Sequence, residues 1–124
     1  MPVIHIESLP PEREKELPKI LEEITSGIVK DTGLPADRVQ LYFTEIKSGR
    51  YIYNGVCREH LSADAAHPMV HIYVKDGKTR EFMEKLVLSA ARTVSAAFEI
   101  EPENVLVMVN QYSDGEFFCK NKFM

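Results

Sequence analysis

The chain has 124 residues, of which 44% are hydrophobic and 27% charged, a composition typical of one compact globular domain. Its net charge of −4, without a basic stripe, argues against a nucleic-acid partner, because phosphate binding depends on clustered Lys and Arg. No stretch can span a membrane and the start resembles no targeting peptide, so we expect a cytoplasmic protein with no membrane partner. Cys57 and Cys119 fit that compartment as free thiols, although a disulfide stays open.

A run at the start of the chain recurs 66 positions later. Pro2-Val3-Ile4-His5-Ile6 matches Pro68-Met69-Val70-His71-Ile72, with Pro, His and Ile at corresponding positions. The apolar pattern matches across the rest of each half without a gap. It predicts one domain over 1–124 made of two units, about 1–55 and 67–124, joined by a loop. Two unrelated strand-helix-strand units could also give this pattern, but the match favours duplication.

The first unit is predicted to form a strand, a helix and a strand. Ile4 and Ile6 would point to one side and Val3, His5 and Glu7 to the other, the two-residue alternation of a strand. Apolar residues at helical spacing then predict a helix that is led in by the Pro10-Pro11 pair and ended by Gly33. Pro18 lies inside this pattern and predicts a kink or a delayed helix start. Alternation over Val39–Thr44 predicts the second strand.

The second unit repeats this order and completes a sheet. A strand-helix-strand unit makes a parallel pair through its helical crossover, so two units predict an α/β fold with one four-stranded mixed sheet and both helices on one face. The other face would carry Val3, His5, Gln40, Tyr42, Met69, His71, Tyr73, Leu106 and Met108. Because this face is too apolar to be left in water, we expect the chain to form oligomers.

Four segments carry a family resemblance. They are the Pro2 start, Asp31-Thr32-Gly33-Leu34-Pro35 at the helix exit, Thr44-Glu45-Ile46 at the strand end, and the tail from Gly49 to Gly55. Together they resemble the tautomerase superfamily, which includes 4-oxalocrotonate tautomerase and macrophage migration inhibitory factor, and most of all its uncharacterised two-unit members. The resemblance covers nearly the whole chain. It implies a homotrimer with pockets at the subunit edges, where an amino-terminal proline serves keto-enol tautomerisation or, in some members, decarboxylation or dehalogenation.

Pro2 is therefore the candidate catalytic residue. If Met1 is removed, Pro2 carries a free secondary amine, and an apolar pocket or a nearby cation would bring the pKa of such an amine towards the working range of a general acid or base. If Met1 is retained, the Pro2 nitrogen is an amide and Pro2 only begins a strand. Pro68 cannot play this part because its nitrogen is locked in a peptide bond. We expect one site per chain.

The binding residues of the family are kept only in part. The arginine that 4-oxalocrotonate tautomerase places before its helix falls on Leu9 or Pro10, and its second-strand arginine falls on Gln40. The lysine in the helix-exit turn of macrophage migration inhibitory factor falls on Leu34. This argues against a dicarboxylate held by paired arginines and for a smaller or more neutral enolisable carbonyl compound. The expected substrate-binding residues are Gln40, Arg50, Tyr51 and Tyr73.

We therefore expect a small-molecule tautomerase or related isomerase without a cofactor. The alternative is a non-catalytic homotrimer, a binding or structural protein that kept the fold without the activity. A metal site is not expected: His67 and His71 are four residues apart on a strand, roughly 13 Å, which is too far to share one ion. Further binding residues would lie in the long loop that joins the units.

Overall fold

The computed structural model describes residues 2–11, 16–61 and 67–124. The predicted α/β fold is confirmed: four strands form one mixed sheet in the order β2-β1-β5-β6. The elements are β1 (Val3–Ser8), α1 (Leu17–Thr32), a 3-10 turn (Ala36–Arg38), β2 (Gln40–Glu45), β3 (Ile52–Tyr53), β4 (Val56–Cys57), β5 (Met69–Lys75), α2 (Arg80–Phe98), a second 3-10 turn (Pro102–Asn104), β6 (Leu106–Tyr112), β7 (Phe118–Cys119) and β8 (Lys122–Phe123). None of the helices in the described parts of the chain is long and apolar enough to cross a membrane.

The strands and the 3-10 turns of the two units begin at corresponding residues. Each strand and each 3-10 turn of the second half begins 66 positions after its counterpart, from β5 against β1 to β8 against β4. Main-chain hydrogen bonds correspond as well: Gln40 N donates to Pro2 O at 3.1 Å, and Leu106 N donates to Pro68 O at 3.0 Å. The division into units of about 1–55 and 67–124 stays a prediction, and this regularity supports it.

The two units run in opposite directions within the sheet. β2 is parallel to β1 and β6 is parallel to β5, but β1 and β5 pair antiparallel. The first unit's strands therefore begin where the second unit's strands finish. We call this end of the sheet, with Pro2 and the second hairpin (β7 and β8), the Pro2 end. The other end, with Pro68 and the first hairpin (β3 and β4), is the Pro68 end.

The core lies between the sheet and the two helices. Ile4 and Ile6 of β1 and Val70 and Ile72 of β5 are completely buried beneath the helices. The helices complete the core with Ile20, Ile24, Ile28, Leu86, Ala90, Val94, Ala97 and Phe98. Because every second strand residue points into this layer, the opposite face of the sheet stays open in the single chain.

The first helix begins later than its Pro10-Pro11 lead-in predicts. It starts at Leu17, so Pro18 lies in the first turn, where a helix has no use for the missing N–H. The delayed start expected from Pro18 is thus the correct reading, and residues 12–15 lie outside the described part of the chain. Gly33 ends the helix as predicted, with φ of 76° and its N–H donated to Val29 O.

The open face carries the side chains predicted for it. Its middle row crosses all four strands as Tyr42, His5, His71 and Met108. The His5 ring stacks on Tyr42 with centroids 4.1 Å apart, and His71 Nε2 lies 3.0 Å from Glu7 Oε1. Large apolar side chains of this face remain substantially exposed, including Tyr42 at 45% and Met108 at 41%.

Candidate active site

Pro2 is buried at the start of the central strand β1. Its carbonyl accepts the bond from Gln40 N, which fixes it against the first residue of β2. The next residue, Val3, pairs with Gln40 on one side and with Tyr73 on the other. Two of the predicted binding residues, Gln40 and Tyr73, thus lie beside Pro2, on the open face of the sheet.

Arg50 and Tyr51, the other two predicted binding residues, lie at the Pro68 end. Ile46 N donates to Ser8 O at 2.8 Å, so β2 leaves the sheet beside the last residue of β1, and the segment with Arg50 follows from there. The hydroxyl of Tyr51 accepts a hydrogen bond from His67 N at 3.0 Å. The length of β1, roughly 17 Å by strand rise, separates this end from Pro2. A single chain does not bring the four predicted binding residues together.

At the Pro68 end, the residue bonded to the proline nitrogen is held in a defined place. Besides donating its backbone N–H to Tyr51, His67 places Nδ1 2.8 Å from Asn104 O. Its ring meets Tyr53 edge to face, with centroids 4.6 Å apart. Tyr51, Tyr53 and Asn104 therefore surround the position directly in front of Pro68.

At the Pro2 end, the corresponding residues line a pocket. The residues 66 positions away from Tyr51, Tyr53 and Asn104 are Phe117, Cys119 and Arg38. All three line one cavity of about 190 Å³, which we call the Pro2 pocket; its lining residues are Asp37, Arg38, Phe117, Cys119, Lys120, Lys122 and Met124. The counterpart of His67 is Met1, which lies outside the described residues. The Pro2 pocket thus lies at the Pro2 end of the sheet, and its lining includes the counterparts of the residues that surround His67.

The sequence analysis assigned none of these pocket residues to substrate binding, because it kept each tail with its own unit. The aromatic residue assigned to the site was Tyr51, but the antiparallel pairing of β1 with β5 brings the second hairpin, with Phe117 ahead of it, to Pro2. Phe117 is held in position by stacking on Tyr112, with centroids 5.1 Å apart. The sequence does contain a signal for Phe117, since Phe117 follows Tyr51 by the same 66 positions that separate the two prolines.

Other cavities and side-chain groups lie away from the Pro2 pocket. Within residues 2–11, 16–61 and 67–124, no group of three or more His, Cys, Asp or Glu could hold a metal ion. Cys57 and Cys119 are free thiols, one in each hairpin. A larger groove of about 700 Å³ runs between α2 and β6, but its charged residues Arg80 and Glu84 bond to each other at 3.1 Å and the rest of its lining has no acid, base or nucleophile.

Comparison with known proteins identifies solved structures that share this fold. No protein-family model matches the chain. A probable tautomerase from Lactiplantibacillus plantarum is 27% identical over 64 residues, which are all of that protein and 52% of this chain. The F6 fused 4-OT wild-type asymmetric trimer matches with a TM-score of 0.82 at 16% identity, covering 98% of this chain and 94% of that chain. Pt0534 inactivated by 2-oxo-3-pentynoate matches with a TM-score of 0.81 at 17% identity, covering 95% and 91%.

The chain has the fold of the tautomerase superfamily. The resemblance seen in the sequence is confirmed, and the fold is the one of fused two-unit members. The bacterial probable tautomerase, with its 64 residues, is about as long as one unit, whereas the fused 4-OT chain is matched over nearly its whole length. Within this fold, Pro2 directly precedes the inner strand β1, at the end of the sheet where the Pro2 pocket lies.

Proposed function

We propose that the protein is a small-molecule tautomerase in which Pro2, freed by removal of Met1, is the general acid and base. The observation that carries the proposal is the Pro2 pocket, which lies at the same end of the sheet as Pro2, a buried residue that directly precedes β1. The tautomerase fold and the description of the bacterial relative support an activity of this class. The substrate is an enolisable carbonyl compound, and no cofactor takes part.

The reaction moves one proton between oxygen and carbon. The neutral Pro2 amine takes the proton of the enol hydroxyl as the carbonyl forms, and the resulting ammonium returns a proton to the adjacent carbon, so that no atom is gained or lost. Burial of Pro2 favours the neutral amine that this step requires. Gln40 and Tyr73 flank the following residue, Val3, and provide polar groups for the substrate oxygen.

We propose further that the protein works as a homotrimer. The fused 4-OT structure is described as a trimer, and the open sheet face of this chain provides a surface that a neighbouring copy would cover. Since Arg50 and Tyr51 lie at the Pro68 end, they can serve a Pro2 site only if they come from another copy. Trimer formation and the assignment of Arg50 and Tyr51 as binding residues therefore belong to one proposal.

The first test is the intact mass of protein made without an amino-terminal tag. A mass lacking one methionine leaves Pro2 as a free amine. Ketonisation of phenylenolpyruvate should then fall by roughly 10²-fold or more in Pro2→Ala, the range that general acid-base groups contribute. Protein with a residue added in front of Pro2 should also lose turnover, because its proline nitrogen is an amide.

Pro68→Ala is the matched control, since Pro68 occupies the corresponding position but its nitrogen lies within the chain. Its turnover should equal that of the wild type. A full-length mass would overturn the mechanism and favour the non-catalytic trimer. Unchanged turnover in Pro2→Ala would overturn the role of Pro2 as the general acid and base.

A further inference from the structure

Two histidines lie side by side at the centre of the open sheet face. His5 of β1 and His71 of β5 are direct partners across the antiparallel pair of strands. Their ring centroids are 5.6 Å apart, and the ring planes are tilted by 30°. Histidine is the side chain whose charge ordinarily changes between about pH 5 and pH 8, so the middle of this face carries two neighbouring groups of that kind.

The two imidazoles have different partners. His71 Nε2 lies 3.0 Å from Glu7 Oε1, so a proton on this ring forms an ion pair. His5 Nε2 lies 2.8 Å from the Thr44 hydroxyl, and the His5 ring stacks on Tyr42. The hydroxyl can donate to a neutral ring or accept from a protonated one, but it supplies no charge. A proton on His71 is therefore compensated by its neighbour, whereas a proton on His5 is not.

The other groups of the open face do not compensate a second proton. Phenols are neutral in this pH range, and Lys75 contacts Asp114 about four residues along β5 from His71, roughly 13 Å by strand rise. Glu7 is thus the carboxylate that the four strands offer to both imidazoles. The titratable side chains of this face are His5 and Glu7 of β1, Tyr42 of β2, His71, Tyr73 and Lys75 of β5, and Tyr112 of β6.

Assembly would remove water from these groups. The face exposes large apolar side chains, and the fused 4-OT structure is described as a trimer, so the cover argued for this face is a second copy of the chain. An ion taken out of water without an opposite charge beside it is strongly disfavoured. The covered face therefore accepts His5 as a neutral ring and disfavours its protonated form.

We propose that protonation of His5 dissociates the trimer, which makes the assembly sensitive to pH. The inference rests on the proposed homotrimer. Because His5 is neutral in the trimer and free to bind a proton in the separate chain, the separate chains bind more protons, and a falling pH favours them. Below the range in which the imidazole titrates, the dissociation constant should rise roughly tenfold per copy for each pH unit.

Sedimentation equilibrium at micromolar concentration, carried out from about pH 8 to about pH 5, tests the proposal. The wild-type protein should be a trimer at the upper end of this range and mainly a monomer at the lower end. His5→Gln keeps a neutral hydrogen-bonding side chain beside Thr44 and should remain a trimer throughout. His5→Asn is a second neutral variant, to be used if His5→Gln does not assemble at the upper end.

Matched variants remove a histidine elsewhere. His71→Gln keeps a donor for Glu7 and leaves His5 in place, so it should dissociate on acidification like the wild type. His60→Gln alters an exposed histidine that lies outside the four strands of the sheet and should also behave like the wild type.

The possible results separate this proposal from the trimer itself. A wild-type protein that is monomeric at the upper end of the pH range overturns the homotrimer, and the pH response with it. A wild-type trimer that persists to the lower end overturns the pH response alone. Equal dissociation of the wild type and the neutral His5 variants does the same. Mass is the readout because turnover would also depend on the protonation of Pro2.

Discussion

Tyr51 and Phe117 occupy corresponding positions of the two units, but only Tyr51 has a hydroxyl group. That hydroxyl accepts the backbone N–H of His67, the residue in front of Pro68. Phe117 has no such acceptor for a residue in front of Pro2. The Tyr51 hydroxyl thus holds His67 at the Pro68 end, and Phe117 at the Pro2 pocket cannot hold a residue in this way.

Removal of the Tyr51 hydroxyl should destabilise the protein at the Pro68 end. Tyr51→Phe leaves the half-buried His67 N–H without its acceptor, so we expect the free energy of unfolding to fall by about 1 kcal/mol. Urea unfolding monitored by circular dichroism measures the change. Tyr53→Phe is the control, because the Tyr53 ring contacts His67 but its hydroxyl bonds to none of the described residues. Equal losses in the two variants would contradict a specific role of the Tyr51 hydroxyl.

At the scale of the elements, the two helices cross closely at Gly27 of α1. A Cβ atom built there would lie 2.5 Å from Thr93 Cγ2 of α2, closer than real carbon atoms approach. Gly27→Ala gains the helix propensity of alanine, roughly 1 kcal/mol, but forces the helices apart or Thr93 out of place. We expect a net fall in the free energy of unfolding of about 1 kcal/mol or more, measured by urea unfolding.

A second substitution distinguishes the clash from other causes. Thr93→Ser removes the clashing methyl group and keeps the hydroxyl that donates to Ser89 O at 2.8 Å. In that background, Gly27→Ala should stabilise the protein instead of destabilising it. Ser26→Ala, at the exposed neighbouring position, serves as the reference for helix propensity alone. If Gly27→Ala destabilises both backgrounds equally, the close crossing is not the reason.

The strands and helices could be predicted because burial of one face makes apolar residues recur at a regular spacing in each of them. Alternation in β1 and the helical spacing of Ile20, Ile24 and Ile28 are direct consequences of one face meeting the core. Of the candidate site residues taken from the sequence, only Pro2, Gln40 and Tyr73 lie together in the single chain. Arg38 and Lys122 are 84 positions apart and meet through the antiparallel pairing of the units, a tertiary relation that no local pattern contains.

At the scale of the whole molecule, a single chain leaves the open face of its sheet uncovered. Its exposed apolar side chains include Tyr42, Tyr73, Leu106 and Met108, each between 38% and 45% exposed. They form one continuous surface with His5 and His71, since the register aligns them in rows across the four strands. Burial of such a surface contributes roughly 25 cal/mol per Å², enough to favour association of several copies.

If the protein is a trimer, we expect a threefold chain mass in solution and a shift towards monomer when a charge is placed on the open face. The wild-type protein should sediment at three times the chain mass of 14.1 kDa at micromolar concentration. Met108→Lys places a cation in the middle row of the open face and should shift the protein towards monomer, because burying an unpaired charge costs more than the apolar contact contributes. Ala96→Lys, at an exposed position of α2, adds the same charge on the helical side and should remain trimeric. A monomeric wild type would refute the assembly, and a trimeric Met108→Lys variant would move the interface away from this face. With a monomeric wild type, Arg50 and Tyr51, which reach a Pro2 site only from a second copy, would also lose their proposed route to the substrate.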